Sequence, residues 1–188
     1  MGARAELVES TQELLWDRGY VGTSPKAIQR RAGVGQGSMY HHFDGKPELA
    51  LEAITSSAQQ LSVCAEALLS GPGTPVERLG EYLTRERDVL RGCRIGRLAA
   101  DPDVVADAAL RGPLERTFAW LQQRLAEVIA EGQAVGQLDR SLSPADLAAM
   151  LVAVLQGGYV LARSAADPAP FDRAVRGALS LLKTAEGA

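Results

Sequence analysis

The sequence predicts an all-α fold of about nine helices, in which a short N-terminal helix-turn-helix precedes a series of longer helices. Two patterns carry that prediction. Apolar residues recur at the spacing of amphipathic helices, and no segment alternates apolar and polar residues as a half-buried strand does. Helix-start and helix-stop signals also punctuate the chain, Ser24-Pro25 and Ser143-Pro144 among the starts and Gly19 and Gly33 among the stops. With 188 residues, 46% hydrophobic and 23% charged, the chain is long enough for one buried domain or for a small domain joined to a larger one.

Taken in order, Ala3 to Arg18 places Leu7, Thr11, Leu14 and Leu15 on one helical face, and Gly19 ends the segment. Ser24 accepts an orphan backbone N–H and Pro25 occupies the first helical position, so a second, short helix opens there and closes near Gly33. A third runs from Gln36 to His42. Pro47 to about Leu69 is a long helix ended by the loop "SGPGTP", and Pro75 to Leu90 is another. "RGCRIGRLAADPD" is a shorter piece interrupted at Gly96 and Pro102. Pro113 to about Glu131 turns Leu114, Phe118, Leu121, Leu125, Val128 and Ile129 inward. Ser143, Pro144 and Asp146 start a helix to about Arg163 that is apolar on nearly every side, and a last helix runs from about Pro170 to Leu182. The texture changes from short to long helices at Gly45/Lys46, which predicts domains at 1–45 and 46–188.

Charge singles out one stretch. Ser24 to Lys46, "SPKAIQRRAGVGQGSMYHHFDGK", carries Lys26, Arg30, Arg31 and Lys46 against Asp44. A +3 island therefore sits in a chain of net charge −3, and any contact with a polyanion is local. The two short helices, joined by a glycine-containing turn, form the arrangement that sends its second helix into the major groove of DNA. Short polar side chains are needed at the start of that helix, and Gln36, Gly37 and Ser38 meet the need: Gln bonds adenine bidentately, Ser bonds either kind of group, and Gly lets the backbone approach. Tyr40, His42 and Lys46, with Ser24 and Lys26 at the start of the preceding helix, are candidates for the sugar-phosphate backbone. Arg30 and Arg31 are as well suited to phosphate as to a solvated face.

These residues resemble the DNA-binding domain of the tetracycline-repressor family of transcriptional regulators. The shared features are the pair Gly19-Tyr20, the turn Ala32-Gly33-Val34, the run Tyr40-His41-His42-Phe43 and the following Lys46. They cover about a quarter of the chain. "GCRIGRLAAD" also resembles a glycine-cysteine segment of one branch of the family. The resemblance implies a homodimer with an N-terminal DNA-binding domain and a C-terminal helical ligand-binding and dimerisation domain, a repressor that leaves its palindromic operator when a small molecule binds.

Two positions depart from the family pattern. Gly35 stands where a Ser or Thr usually caps the recognition helix, and Gln29 stands where a small Ala is usual. Gln29 is expected to turn outward toward the DNA. The alternative these departures keep open is a helical protein-interaction module whose helix-turn-helix no longer reads DNA.

In the long-helix domain, Cys64, Tyr82, Arg94, Phe118, Trp120 and Tyr159 are the candidates for an effector site, although each residue type is more often plain core. Leu147, Leu151, Val154, Leu155 and Leu161, with Gly158 permitting close approach, would leave a large apolar patch on a monomer and predict a twofold dimer interface.

Other chemistries find little support. His41 and His42 are adjacent and point about 100° apart on a helix, so they do not share a metal. There is no GxSxG, glycine-rich phosphate loop or HExxH, so neither an enzyme nor a cofactor is expected. Cys64 and Cys93 have no CxxC spacing and read as small buried side chains. The first twenty residues mix charged and apolar types, and "LAAMLVAVLQGGYVLA" is broken by Gln156, Gly157 and Gly158, so a cytoplasmic protein with no membrane partner is expected.

Overall fold

The computed structural model describes residues 2–184. Among the described residues the regular structure is all helical, as predicted: α1 (Ala3–Arg18), α2 (Pro25–Ala32), α3 (Gln36–His42), α4 (Lys46–Leu69), α5 (Pro75–Thr84), a 3-10 turn (Gly96–Ala100), α6 (Pro102–Ala106), α7 (Ala108–Ala134), α8 (Pro144–Ala165) and α9 (Ala169–Thr184).

Two boundaries differ most from the sequence reading. α5 stops at Thr84 instead of continuing to Leu90, because Arg87 folds back and donates to the carbonyls of Tyr82, Leu83 and Arg85, satisfying the helix end that a further turn would have used. α7 begins at Ala108, with Pro113 inside it rather than at its start. Asp107 supplies the upstream cap, accepting from the Ala109 N–H at 2.8 Å.

The chain forms two compact units. The first comprises Met1–Gln60 and Cys93–Arg116, the second Leu61–Gly92 and Thr117–Ala188.

In the first unit α1 buries the face its spacing predicts: Leu7, Thr11, Leu14 and Leu15 are all within a few per cent of full burial. Thr11 tolerates that position because its hydroxyl donates to Leu7 O at 2.7 Å. Leu7 and Leu14 join Ala27, Ile28, Met39, Phe43 and Leu49 in one cluster, so every helix from α1 to α4 contributes to the same core. Each fully buried Leu or Ile there contributes about 1.5–3 kcal/mol.

The segment Cys93 to Asp101 lies along α1. Arg94 donates to Glu13 Oε1 at 2.6 Å and stacks over the Trp16 ring, 3.9 Å from its centroid. Arg97 donates to the carbonyls of Trp16 and Asp17. Asp101, only 8% exposed, accepts from the N–H groups of Tyr20 (2.7 Å) and Val21 (3.0 Å) with Oδ2, and from those of Asp103 and Val104 with Oδ1. One carboxylate thus caps α6 and fastens the turn after α1. Gly19 adopts φ +72°, and a Cβ there would meet Asp101 Oδ2 at 2.8 Å.

In the second unit Thr74 and Glu77 start α5 with a capping box, and the backbone N–H of Thr74 holds the Glu77 carboxyl below its ordinary pKa. Leu79, Leu83, Leu121, Leu125, Val128 and Ile129 are buried, whereas Phe118 is half-buried. Arg78 pairs with Glu131, and Arg124 with Glu66 and Glu127.

α8 and α9 pack side by side, with Tyr159 against Phe171 at 4.8 Å between ring centroids. Gly158 makes that approach possible, since a Cβ on it would come within 2.8 Å of the Phe171 ring. α8 runs unbroken through Gln156, Gly157 and Gly158, and by length and composition it would suffice to cross a bilayer. Its Leu151, Val152, Leu155, Tyr159 and Ala162 are nevertheless buried in this unit, as in the core helix of a globular domain.

Candidate functional site

α2 and α3 owe their relative placement to local chemistry. Ser24 caps α2, accepting from Ala27 N at 3.2 Å, with Pro25 at the first position. Gly33 ends it in the left-handed conformation, φ 67°, which a glycine adopts without strain. Gly35 then caps α3 by backbone conformation alone, with no side-chain hydrogen bond, as its identity dictates. Met39 and Phe43 lock α3 into the core, fully buried and 2% exposed respectively.

That anchoring fixes which residues face away. Gln36, Gly37 and Tyr40 are exposed, with Tyr40 at 50%, and Gln36 and Tyr40 share a face one turn apart. Ser38 and His42 are half-buried, and the His41 and His42 rings meet edge-on at 4.9 Å. On α2, Lys26 and Arg30 are exposed and also one turn apart, and Ser24 is exposed while serving as cap. Arg31 leans toward Glu13 at 4.0 Å.

Lys46 is more embedded than a plain surface lysine. Its ammonium lies 3.8 Å from the centroid of the Tyr20 ring. Burial lowers its pKa, and the charges of Asp101 and Asp103 work in the opposite direction. The same carboxylates act on Tyr20, whose hydroxyl is pushed up first by burial and then by Asp107, Asp103 and Asp101.

Gln29 does not turn outward. Its Nε2 donates to Met39 Sδ at 3.4 Å, so the long amide serves as a strut between α2 and α3. The reason is packing: Met39 is fully buried and its sulfur is a weak acceptor beside the amide.

The effector candidates are partly gathered together. In the second unit Cys64 accepts from Arg85 Nη1 at 2.8 Å, and the Arg85 guanidinium lies over Tyr82 at 5.4 Å. Arg87 lies over the same ring at 5.5 Å and over Phe171 at 5.9 Å, and Phe171 stacks on Tyr159. Arg85, Arg87 and Phe171 were not singled out by sequence, because "RER" reads as a solvated charge run. Phe118 and Trp120 are half-buried on α7. Arg94 belongs to the first unit, engaged by Glu13 and Trp16. Cys64 is exposed, contrary to the expectation of a buried side chain, and Cys93 is half-buried.

Among the interface candidates, Leu151, Leu155 and Gly158 are turned into the chain's own core, Leu147 and Val154 are half-buried, and Leu161 is 56% exposed. Val160 at 68% and Leu181 at 66% join Leu161 as large exposed apolar side chains on α8 and α9.

A buried three-helix core that presents the polar face of its third helix, flanked by exposed cations, defines a helix-turn-helix DNA-binding unit. Residues 7–53 match the model for bacterial regulatory proteins of the tetR family, and residues 76–178 match a tetracyclin repressor-like C-terminal domain. The chain belongs to the tetracycline-repressor family and is a DNA-binding transcriptional regulator. It is 29% identical over 173 residues to the HTH-type transcriptional repressor DhaR of Mycobacterium sp. (strain GP1), covering 90% of this chain and 87% of that one. Among solved structures, a regulatory protein TetR from Rhodobacter sphaeroides superposes with a TM-score of 0.80 at 27% identity, covering 95% and 97% of the two chains. The fold is also that of the family member CifR, solved as a cysteine mutant with 26-bp double-strand operator DNA, with a TM-score of 0.77, 24% identity and coverage of 93% and 94%.

Proposed function

We propose that this regulator is a repressor that binds a palindromic operator as a twofold dimer in the cytoplasm and releases it when a small molecule occupies the long-helix region. The observation that carries the reading is the division of α3: Met39 and the following Phe43 are buried, while Gln36, Gly37 and Tyr40 are exposed, as are Lys26 and Arg30 on α2. Gln36 and Ser38 read base edges, and Ser24, Lys26, Tyr40, His42 and Lys46 hold the backbone. Residues 1–45, with Lys46 at the boundary, serve DNA, the remainder of residues 46–188 serve effector and partner, and the chain works by binding rather than catalysis. The repressor function of DhaR and the operator bound by CifR support this reading.

Release is a population shift. α4 gives Lys46 to Gln60 to the first unit and Leu61 to Leu69 to the second, so it is a continuous element that both regions bias. An effector that prefers the state with wrongly spaced half-sites draws the population off DNA.

Gel-shift titration against the DNA flanking the regulator's own gene tests the core of this reading. Gln36→Ala should cost roughly 1–3 kcal/mol on the operator and relax preference at one base position. Lys46→Ala should weaken operator and random DNA alike and flatten the salt dependence. Equal effects of both variants on operator and random DNA would refute the division of roles.

A further inference from the structure

We infer that the effector carries a carboxylate, received by Arg85 with the charge of Arg87 behind it. The inference rests on the effector reading above and adds the chemical class of the ligand.

Elsewhere in the second unit the partly buried arginines Arg78 and Arg124 are matched by carboxylates. Arg85 and Arg87 are not: among the described residues no Asp or Glu lies within ion-pair distance of either. Both guanidiniums converge on the ring of Tyr82, and each, like the carboxylate-paired Arg78, has a buried Nε with no hydrogen-bond partner among the described residues.

The two differ in what they have left to give. Arg87 uses both terminal nitrogens on the last carbonyls of α5, whose partial negative charge offsets only part of its own. It is largely buried, and that burial, with the like charge of Arg85 adding to it, holds the guanidinium below the usual arginine pKa. Arg85 donates one terminal nitrogen to the Cys64 sulfur, a weak acceptor, and among the described residues its Nε has no partner and its Nη2 makes no hydrogen bond. That Nε/Nη2 edge is the fork a carboxylate accepts from bidentately, and a charged oxygen is a far better partner than a thiol. Around the two guanidiniums the side chains of Tyr82, Phe171 and Tyr159 are buried, with Phe171 packed on Tyr159, an apolar setting in which an unpaired cation favours a carboxylate partner.

The test uses the full-length protein and charge-matched probes: straight-chain carboxylates from acetate to octanoate and benzoate, each paired with its amide, plus benzylamine. Calorimetric titration should show binding of at least one carboxylate and little or none of its amide. Arg85→Gln should weaken that carboxylate at least about tenfold while Arg85→Lys retains part of the affinity, because charge remains and the fork is lost. Should the Gln variant not fold, the Lys variant with the carboxylate/amide comparison decides alone. An amide or benzylamine binding as well as the carboxylates, a carboxylate indifferent to Arg85, or no carboxylate binding at all would each overturn the inference. Operator gel shifts keep the readings apart. Release by an amide or an amine leaves the effector reading intact and refutes only the carboxylate, whereas failure to bind any operator refutes the regulator reading itself.

Discussion

Asp101 serves two segments at once, with its Oδ2 on the amides of Tyr20 and Val21 and its Oδ1 on the start of α6. Replacing it by Ala orphans two N–H groups and removes a helix cap, a loss of about 2–4 kcal/mol when the separate costs are combined. Hydrogen exchange of the Tyr20 and Val21 amides should therefore accelerate by orders of magnitude in Asp101→Ala and much less in Asp101→Asn, which keeps an acceptor oxygen. Unchanged protection in the Ala variant would show that the tie is dispensable. The sequence carried half of this: Asp101-Pro102 has the same cap-then-proline form as Ser24-Pro25 and Ser143-Pro144, yet nothing local announces partners 80 and 81 positions away. Gln29 is similar. Its identity was legible as a departure from the family pattern, but the side of the helix on which its amide finds a partner depends on where Met39 sits in the folded core.

At the scale of elements, the helices with strong punctuation were legible and those ended by a side chain's reach were not. α1 and α3 have the predicted bounds, because spacing and glycine stops act within a few residues. α5 ends early through the rotamer of Arg87, and α7 starts early through Asp107, neither of which a periodicity reading weighs. The adjacent glycines of α8 make a sharper test of packing. Gly157 has open space around its missing Cβ, so Gly157→Ala should stabilise the helix by about 0.5–1 kcal/mol. Gly158 has the Phe171 ring and backbone against it, so Gly158→Ala should destabilise by about 1–3 kcal/mol despite the better helix propensity. Denaturant midpoints for the two variants should move in opposite directions, and movement in the same direction would contradict the packing of α8 on α9.

For the whole molecule, the proposed dimer draws on what a single chain leaves uncovered. Leu151, Leu155 and Gly158, which the sequence nominated for a partner, are already inside this chain's own helix pair, because an all-round apolar helix does not reveal which side its nearest neighbour takes. Val160, Leu161 and Leu181 remain exposed. Leu161→Glu should therefore shift sedimentation at micromolar concentration from dimer to monomer while leaving helical content unchanged. A variant that stays dimeric would move the interface off this face. The proposed effector region was the least legible part, since Arg85 and Arg87, just past the end of α5, cluster with Tyr82 and with Phe171 of α9, segments far apart in sequence.

The first unit is discontinuous in sequence, built from Met1–Gln60 and Cys93–Arg116 with α5 encoded in between. During translation the turn after α1 must wait for Asp101, emerging 81 residues after Tyr20, which at ordinary rates of about 5–20 residues per second is a delay of several seconds. A nascent or prematurely terminated chain would carry α1 and the turn after it without the carboxylate that fastens that turn. The order of synthesis therefore keeps the turn that leads from α1 into the helix-turn-helix from its finished form until the middle of the protein has been made.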